Sequence, residues 1–376
     1  MPIFFKGTSR VVFLCIYVLL FIMSCHAQKA PYPQSPVIKG VSLDWSTHQR
    51  GAMGSDNFQL TWADDDNLYG AWGDGGGFTG NSNSTCRVPL GVACITGSGA
   101  DWEGHDKWGD PECVENGATF NGKSWGMISV EGVLYMWVVS DHQYGHFKFI
   151  NLARSYDHGA SWEKSSWKFK ITDHLSIPTF LNFGKDNKGA KDEFVYSYFI
   201  HVEDTSKTKF SIHDREGKLY LSRTHKDSLW EGREAYEWYK GMEKEKPMWG
   251  KVFEKEPVFQ DEEGVGWCLS AFYNPGLKRY ILSTEHTETH KGIMGIFDAP
   301  EPWGPWTTVK YWTEGEYFGK SRPGDNLEWA NNVFYVAFNN KWLSANGIKF
   351  TMNFTGGGRG KDNDSFNTLD GSFIIE

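Results

Sequence analysis

The sequence predicts an all-β chain folded as a five-bladed β-propeller, and three observations carry that prediction. The stretch Ser155-Tyr156-Asp157-His158-Gly159-Ala160-Ser161-Trp162 reads S-x-D-x-G-x-S-W, the pattern of an Asp-box, a turn that recurs between the third and fourth strands of propeller blades. Its chemistry is local: an Asp side chain folds back onto backbone amides, Gly supplies positive φ, and Trp packs the turn onto its blade. Strand-like runs flank it at 147–153 and 163–171, and the rest of the chain divides into similar units with little convincing helix. Closing such units into a ring removes exposed sheet edges, which favours a propeller over an open sandwich.

Taken in order, the chain begins with a targeting segment. Lys6 and Arg10 precede an apolar run at 11–23 that is too short to span a bilayer comfortably and ends in small residues. Cleavage after Ala27 leaves a single catalytic propeller domain over 28–376, and the protein is expected to be exported, periplasmic or secreted. Ile22-Met23-Ser24-Cys25 also resembles a bacterial lipobox, which would make Cys25 an acylated anchor. No other apolar run is long enough for a transmembrane helix.

Residues 28–55 read as irregular structure wrapping the domain edge. From Asp56 short strands begin: 56–63 and 68–73 form a hairpin around Asp64-Asp65-Asp66-Asn67. The Gly-, Asn- and Cys-rich stretch 74–122 reads as a long loop, functional or held by disulfides. The second unit holds 125–130, 134–140, 147–153 and the strand after the Asp-box. A third has 179–183, 194–200 and 219–223, then a polar, partly helical stretch at 227–246; a fourth has 267–273, 279–283, 292–297 and 306–312. The last has 333–339, 342–344, 348–354 and 371–375.

Charge and cysteine count narrow the function. Losing residues 1–27 removes two cations and no acids, so the formal charge goes from -9 to -11 (36 minus 47). A chain this acidic is a poor nucleic-acid binder, and an anionic ligand would need a local cationic pocket. Cys86, Cys94, Cys113 and Cys268 remain, with one or two disulfides expected chiefly among the first three. Eighteen Trp, 16 Tyr and 26 Phe suit packing between twisted sheets, and those beside Gly and Asp in loops also suit stacking on sugar rings.

Blade geometry then groups the polar residues. The Asp-box marks one face; loops between second and third strands belong to the other. Those loops carry His142, Tyr144 and His146, then His201, Glu203 and His213, then Glu285, His286, Glu288 and His290, so six of the twelve histidines fall in three loops. Any one of them is ordinary as a solvated loop histidine; three converging loops suggest a shared site. The starts of innermost strands add Asp56 and Asn57, Lys123 and Trp125, Asn182, and Asn340 with Lys341. Turn capping and surface charge are the plain alternatives.

Two chemistries fit. Elimination beside a uronate carboxylate needs a base, an acid and charge neutralisation: His142, Tyr144 and His146 suit proton transfer, with Lys123, Lys341, Asn57 or Asn182 polarising the carboxylate and Trp125, His201, Glu285 and His286 binding substrate. Glycoside hydrolysis needs two carboxyl groups flanking the bond, for which Asp56, Asp74, Glu285 and Asp44 are candidates. No cofactor is expected. A metal at His286, Glu288 and His290 is left open, without a motif to support it.

Several stretches carry a resemblance: Gly54-Ser55-Asp56-Asn57-Phe58 with Thr61-Trp62-Ala63-Asp64, Pro178-Thr179-Phe180-Leu181-Asn182-Phe183-Gly184, Tyr273-Asn274-Pro275-Gly276-Leu277-Lys278-Arg279-Tyr280, and Phe297-Asp298-Ala299-Pro300-Glu301-Pro302-Trp303-Gly304-Pro305-Trp306. The chain resembles a family of exported bacterial five-bladed propeller proteins related to the endo-D-arabinanases. That branch implies hydrolysis by aspartates, Asp56 with Asp44 or Asp74. The chain also looks similar to the ulvan oligosaccharide dehydratase type of marine Bacteroidetes, which implies water loss from a non-reducing-end uronic acid to give a 4,5-unsaturated sugar. The expectation is therefore an exported monomeric enzyme acting by β-elimination on acidic oligosaccharides. A glycoside hydrolase using Asp56 and a second carboxylate is the first alternative, and a non-catalytic sugar-binding propeller the second.

Overall fold

The structure is a computed structural model; it describes residues 28–79, 88–108, 122–140, 148–206, 217–320, 333–356 and 364–375. Five antiparallel strand groups follow one another along the chain in four hydrogen-bonded sheets, the third and fourth groups being joined by a short parallel pairing of their first strands, Leu181 with Ala271 and Asn182 with Phe272. Blade one is β2 (Asp56–Trp62), β3 (Leu68–Gly73), β4 (Gly91–Thr96) and β5 (Glu103–Trp108). Blade two is β6 (Lys123–Val130), β7 (Val133–Ser140) and β8 (Phe149–Ser155), with a broken outer strand in two pieces, β9 (Glu163–Lys164) and β10 (Phe169–Lys170). Blade three is β11 (Leu175–Asn182), β12 (Phe194–His201), β13 (Lys218–His225) and β14 (Glu237–Glu243), extended by β15 (Lys246–Gly250) and β16 (Pro257–Gln260). Blade four is β17 (Ser270–Asn274), β18 (Arg279–Glu285), β19 (Met294–Ala299) and β20 (Thr307–Tyr311). Blade five is β21 (Val333–Leu343), β22 (Lys349–Gly356) and β23 (Phe366–Ile375), and its outer strand is β1 (Ile38–Gly51) from the start of the chain.

The first strand of each blade lines the axis. Around it, β2 lies against β6, β6 against β11, β11 against β17, β17 against β21, and β21 against β2, which closes a ring of five. Pairing β1 with β23 joins the two ends of the described chain in one sheet and covers the outer edge of β23, leaving β1 as the outermost strand. Residues 38–51 are thus a strand where the sequence suggested irregular structure; their apolar positions Ile38, Val41 and Leu43 pack into blade five, a partner that local pattern does not show. The polar stretch 227–246 is likewise strand β14 with short 3-10 turns at 226–228 and 233–235, because Trp238 and Tyr239 are buried in blade three.

The Asp-box forms as its residues dictate. Asp157 Oδ1 accepts from the Ser161 amide and the Ser155 hydroxyl, both at 2.8 Å, Gly159 sits at φ 84°, and Trp162 Nε1 donates to the Gly159 carbonyl at 3.1 Å. His158 reaches Asp64 at 2.8 Å, tying this turn to the first hairpin of blade one. Register fixes the two faces: Leu134 pairs with Ser155 at the Asp-box end, and Lys123 pairs with Val139 at the other. The innermost strands begin at that second end, called here the axial mouth.

Blades are tied by buried polar groups near the Asp-box end. Asn182 Oδ1 accepts from the Thr61 hydroxyl at 2.7 Å, and the Ser129 amide donates to the same hydroxyl at 3.0 Å, linking blades one, two and three. In blade four Asp298 is wholly buried and binds Arg279 Nε at 2.7 Å and the Ser35 hydroxyl at 3.0 Å, which anchors the segment before β1.

Candidate functional site

Four of the five innermost strands carry an irregularity within a few residues of their start. The register shifts between Asp56 and Gln59, between Lys123 and Gly126, between Ser176 and Pro178, and between Phe334 and Ala337. Three of them hold a non-glycine residue at positive φ: Asn57 at 68°, Ile177 at 30° and Tyr335 at 56°. Bulges re-aim side chains and cluster beside active sites, and each such residue stores roughly 1–3 kcal/mol of strain. For Ile177, β-branched, the cost is steric and unrelieved by any local hydrogen bond of its side chain. Strain repeated around one mouth marks it as the candidate site.

Blade one supplies Asp56, which is buried, and Asn57, whose Nδ2 donates to Asp56 Oδ1 at 2.8 Å. The Asn57 amide N–H donates in turn to Thr355 Oγ1 of blade five at 3.3 Å. Asp74, just past β3 and itself at φ 64°, pairs with Lys123 of blade two. Gly73 shows how tightly these groups converge: a Cβ there would stand 2.8 Å from Lys123 Nζ and 3.0 Å from Asp56 Oδ1.

Blade four brings the third carboxyl group. Glu285 ends β18 and is 1% exposed; its Oε1 accepts the His290 amide N–H at 3.2 Å, while Oε2 has no partner of ordinary geometry among the described residues. Burial pushes this carboxyl up to about 8, against the opposing pull of the His290 N–H and the neighbouring Cys268 thiol. Glu285 therefore holds a proton at neutral pH. Cys268 is a buried free thiol, and its Sγ lies 3.9 Å from Asn57 Oδ1, so blades one and four meet here. Below them Trp125 and Trp267 pack edge to face at 5.3 Å, and Trp267 also contacts Phe334 and the His290 ring.

Asp56, Asn57, Lys123 and Glu285 thus stand at one mouth, with Asp74. Other expected site residues stand elsewhere. Trp125 is 1% exposed, so it floors the mouth and offers no face for stacking a sugar. Asn182 and Lys341 were expected at strand starts; both lie near strand ends, because β11 begins at Leu175 and β21 at Val333. Lys341 Nζ donates to the Asp66 carbonyl, beyond the far end of β2, about 20 Å from Asp56 at 3.3 Å per residue. Asp44 is on the outermost strand of blade five and lines, with Asp66, Lys341 and Asp370, a cleft of about 980 Å³ on the Asp-box side. That cleft is roomy, yet it holds none of the converging groups.

His201 is on the expected face, but its hydrogen bonds stay within blade three, to Glu203 at 2.7 Å and Tyr220 at 3.0 Å. His286 is buried behind Glu285, its ring stacked on Tyr311 at 3.8 Å. Tyr311 donates to Asp261 at 3.0 Å, and burial lifts Asp261 to about 6. His142, Tyr144, His146 and His213 lie outside the described residues, as do Cys86 and Cys113; the flanks of 141–147 are β7 and β8, beside Lys123. Cys94 is a buried free thiol, so it forms none of the expected disulfides. Among the described residues the one set of His and carboxylate groups within metal-ligating reach of each other is Asp64, Asp65 and His158, near the Asp-box; His286, Glu288 and His290 do not form one. No helix among the described residues is long and apolar enough to cross a membrane.

Cys268 is the participant that sequence reading missed, since it reads there only as a disulfide candidate. Its place just before an innermost strand was the available signal.

Comparison with known proteins agrees with this architecture. No curated protein matches the chain. A GH43_1 enzyme from Xanthomonas citri aligns at a TM-score of 0.50 and 12% identity, over 86% of this chain and 89% of that one. The α-L-arabinofuranosidase from Podospora anserina, in complex with cellotriose, aligns at 0.47 and 11% identity over 92% and 97%. The RS223 β-xylosidase aligns at 0.49 and 12% over 86% and 94%. At 12% identity the first of these, the GH43_1 enzyme, speaks to the fold alone. A family model described as a domain of unknown function (DUF4185) matches residues 125–321, which hold Cys268 and Glu285 and stop short of Asp56, Asp74 and Lys123. That match spans more than half of the 376 residues, and the chain belongs to the DUF4185 family.

Proposed function

We propose that the protein is a carbohydrate-active enzyme that hydrolyses glycosidic bonds at the axial mouth, with Glu285 as the acid and Asp56 as the base. The observation that carries this reading is the fully buried Glu285, whose ionisation burial disfavours, facing, across Cys268 and Asn57, an aspartate held by an amide donor. A fold alone does not specify chemistry, so the reading rests on these side chains. Glu285 gives its proton to the leaving glycosidic oxygen as the bond to the anomeric carbon breaks. Asp56 takes a proton from the water that attacks that carbon, and the two carboxyl groups have then exchanged protonation states. Lys123, paired with Asp74 next to Asp56, places one cation at the mouth of an acidic protein, which suits a substrate bearing an acidic sugar.

That same cation supports a second reading, β-elimination from a uronic acid, since His142, Tyr144 and His146 fall in sequence between β7 and β8, and β7 pairs with Lys123 through Val139. One experiment separates the two. The protein without residues 1–27 is incubated with neutral arabinans and xylans and with uronic-acid oligosaccharides, ulvan fragments included. New reducing ends without ultraviolet absorbance of an unsaturated uronate support hydrolysis; absorbance supports elimination; tight binding with neither product supports a sugar-binding propeller. Residues 1–27, basic and then apolar, are proposed as an export signal, with Cys25 as a candidate lipid anchor, and the folded domain as a monomer.

A further inference from the structure

Between the two carboxyl groups lies a thiol that the acid/base scheme leaves idle. Cys268 is 2% exposed, and its sulfur meets Asn57 Oδ1 at 3.9 Å while the Glu285 carboxyl stands beside it. Asn57 spends its Nδ2 on Asp56, so the end of the amide that faces the sulfur is the oxygen, and the thiol must be the donor there. An S–H carries one hydrogen. It can serve Asn57 or the Glu285 carboxylate, not both at full strength.

We propose that Cys268 is a positioning residue that couples Glu285 to Asp56, its single S–H hydrogen shared between Asn57 Oδ1 and the Glu285 carboxylate. The proposal rests on the reading of Asp56 and Glu285 as base and acid. While Glu285 is protonated it offers the thiol a weak acceptor, and the S–H points to Asn57, which keeps its amide on Asp56. Once Glu285 has lost its proton, the carboxylate is the stronger acceptor and draws the S–H away. Asn57 is then released from blade four at the step when Asp56 becomes protonated. The thiol keeps its hydrogen throughout, because burial and the nearby carboxyl groups push its ionisation well up. The titratable groups around it are Glu285, Asp56 and the buried Tyr335 phenol, with Asp74 and Lys123 on the far side of Asp56. Sulfur suits such sharing, because its longer bond and larger radius reach toward two blades, where a hydroxyl would commit to one.

The test follows Glu285 itself and needs no substrate. Infrared difference spectra between pH 6 and 10 report its protonated carboxyl band, assigned by loss of that band in Glu285→Gln. In Cys268→Ala the midpoint is expected to rise by about half a pH unit, the worth of a weak donor. Asn57→Gly, which frees the S–H for Glu285, is expected to lower the midpoint in the presence of Cys268 and to leave it unmoved in Cys268→Ala. Should Cys268→Ala fail to fold, Cys268→Val fills the same space without a donor and carries the same comparison. An unmoved midpoint without the thiol, or an equal effect of Asn57→Gly in both backgrounds, overturns the coupling. Full turnover by Glu285→Gln would instead overturn the function reading and leave the coupling standing.

Discussion

Asn57 donates to Asp56 Oδ1 at 2.8 Å from a backbone held at φ 68°, so the residue that orients the proposed base is also one of the strained residues of the mouth. This separates its two roles experimentally. Glycine accepts the left-handed conformation without strain but has no amide. Asn57→Gly is expected to melt within a few degrees of the natural protein, yet to lose roughly 10- to 100-fold in kcat, the worth of a hydrogen bond to a charged group. Calorimetry beside initial rates checks both halves, and a loss of folding with rates retained would reverse the assignment.

Glu285 predicts a pH dependence of stability. Its carboxyl sits near 8 in the folded protein, above the 4.5 of an exposed glutamic acid, so between those values the folded chain holds a proton that the unfolded chain has released. Stability therefore falls as pH rises from about 4.5 to about 8 and levels off beyond, by at most about 5 kcal/mol. Glu285→Gln removes that slope, and urea titrations at pH 5 and pH 9 should show it relatively more stable at the higher pH. Asp261, lifted to about 6, adds a slope of the same sign at lower pH, which Asp261→Asn isolates.

The same Glu285→Gln variant, with Asp56→Asn, tests catalysis. Each is expected to cost roughly 10² to 10⁴ in kcat once a substrate is in hand, the usual worth of a general acid or base. If hydrolysis holds, the acidic limb of the kcat profile moves with Asp56 and the basic limb with Glu285. Identical profiles in both variants would argue against distinct roles.

Lys123 tests the charge of the substrate. Lys123→Met keeps most of the side-chain volume and removes the ammonium that Asp74 holds. Turnover of a uronic-acid oligosaccharide is expected to fall at least about tenfold more than turnover of a neutral one, through KM, because one charge-assisted contact is lost. An equal fall on both would make Lys123 a partner of Asp74 alone.

Asp298 tests the frame. It is wholly buried and holds Arg279 together with Ser35, so Asp298→Ala strands a guanidinium in the core of blade four. A loss of roughly 3–5 kcal/mol is expected in urea unfolding, as for other broken buried pairs. A loss below about 1 kcal/mol would mean that water reaches Arg279.

Much of this arrangement was open to sequence reading wherever the cause is local. The Asp-box closes through contacts no more than four residues apart, so its eight letters are enough to specify it. Asp56, Asn57 and Lys123 could be placed because turn signals precede their strands. Asn182 and Lys341 were misplaced because apolar pattern does not show where a fully buried strand begins: β11 starts four residues before Thr179, and β21 runs unbroken to Leu343. Those few residues move a side chain from one face of the ring to the other.

What the sequence determined by itself, then, is the kind of unit: short strands, tight turns and one self-closing Asp-box, all set by neighbours along the chain. Which carboxyl groups meet was decided by ring closure. Asp56 and Cys268 are 212 residues apart by number, and β1 finds β23 from the opposite terminus; neither pairing has a local cause. The elevated ionisation of Glu285 is also tertiary, since it arises from burial at the end of β18 and not from its sequence neighbours. Desolvation is a property of the closed ring, and so is the chemistry it sets up.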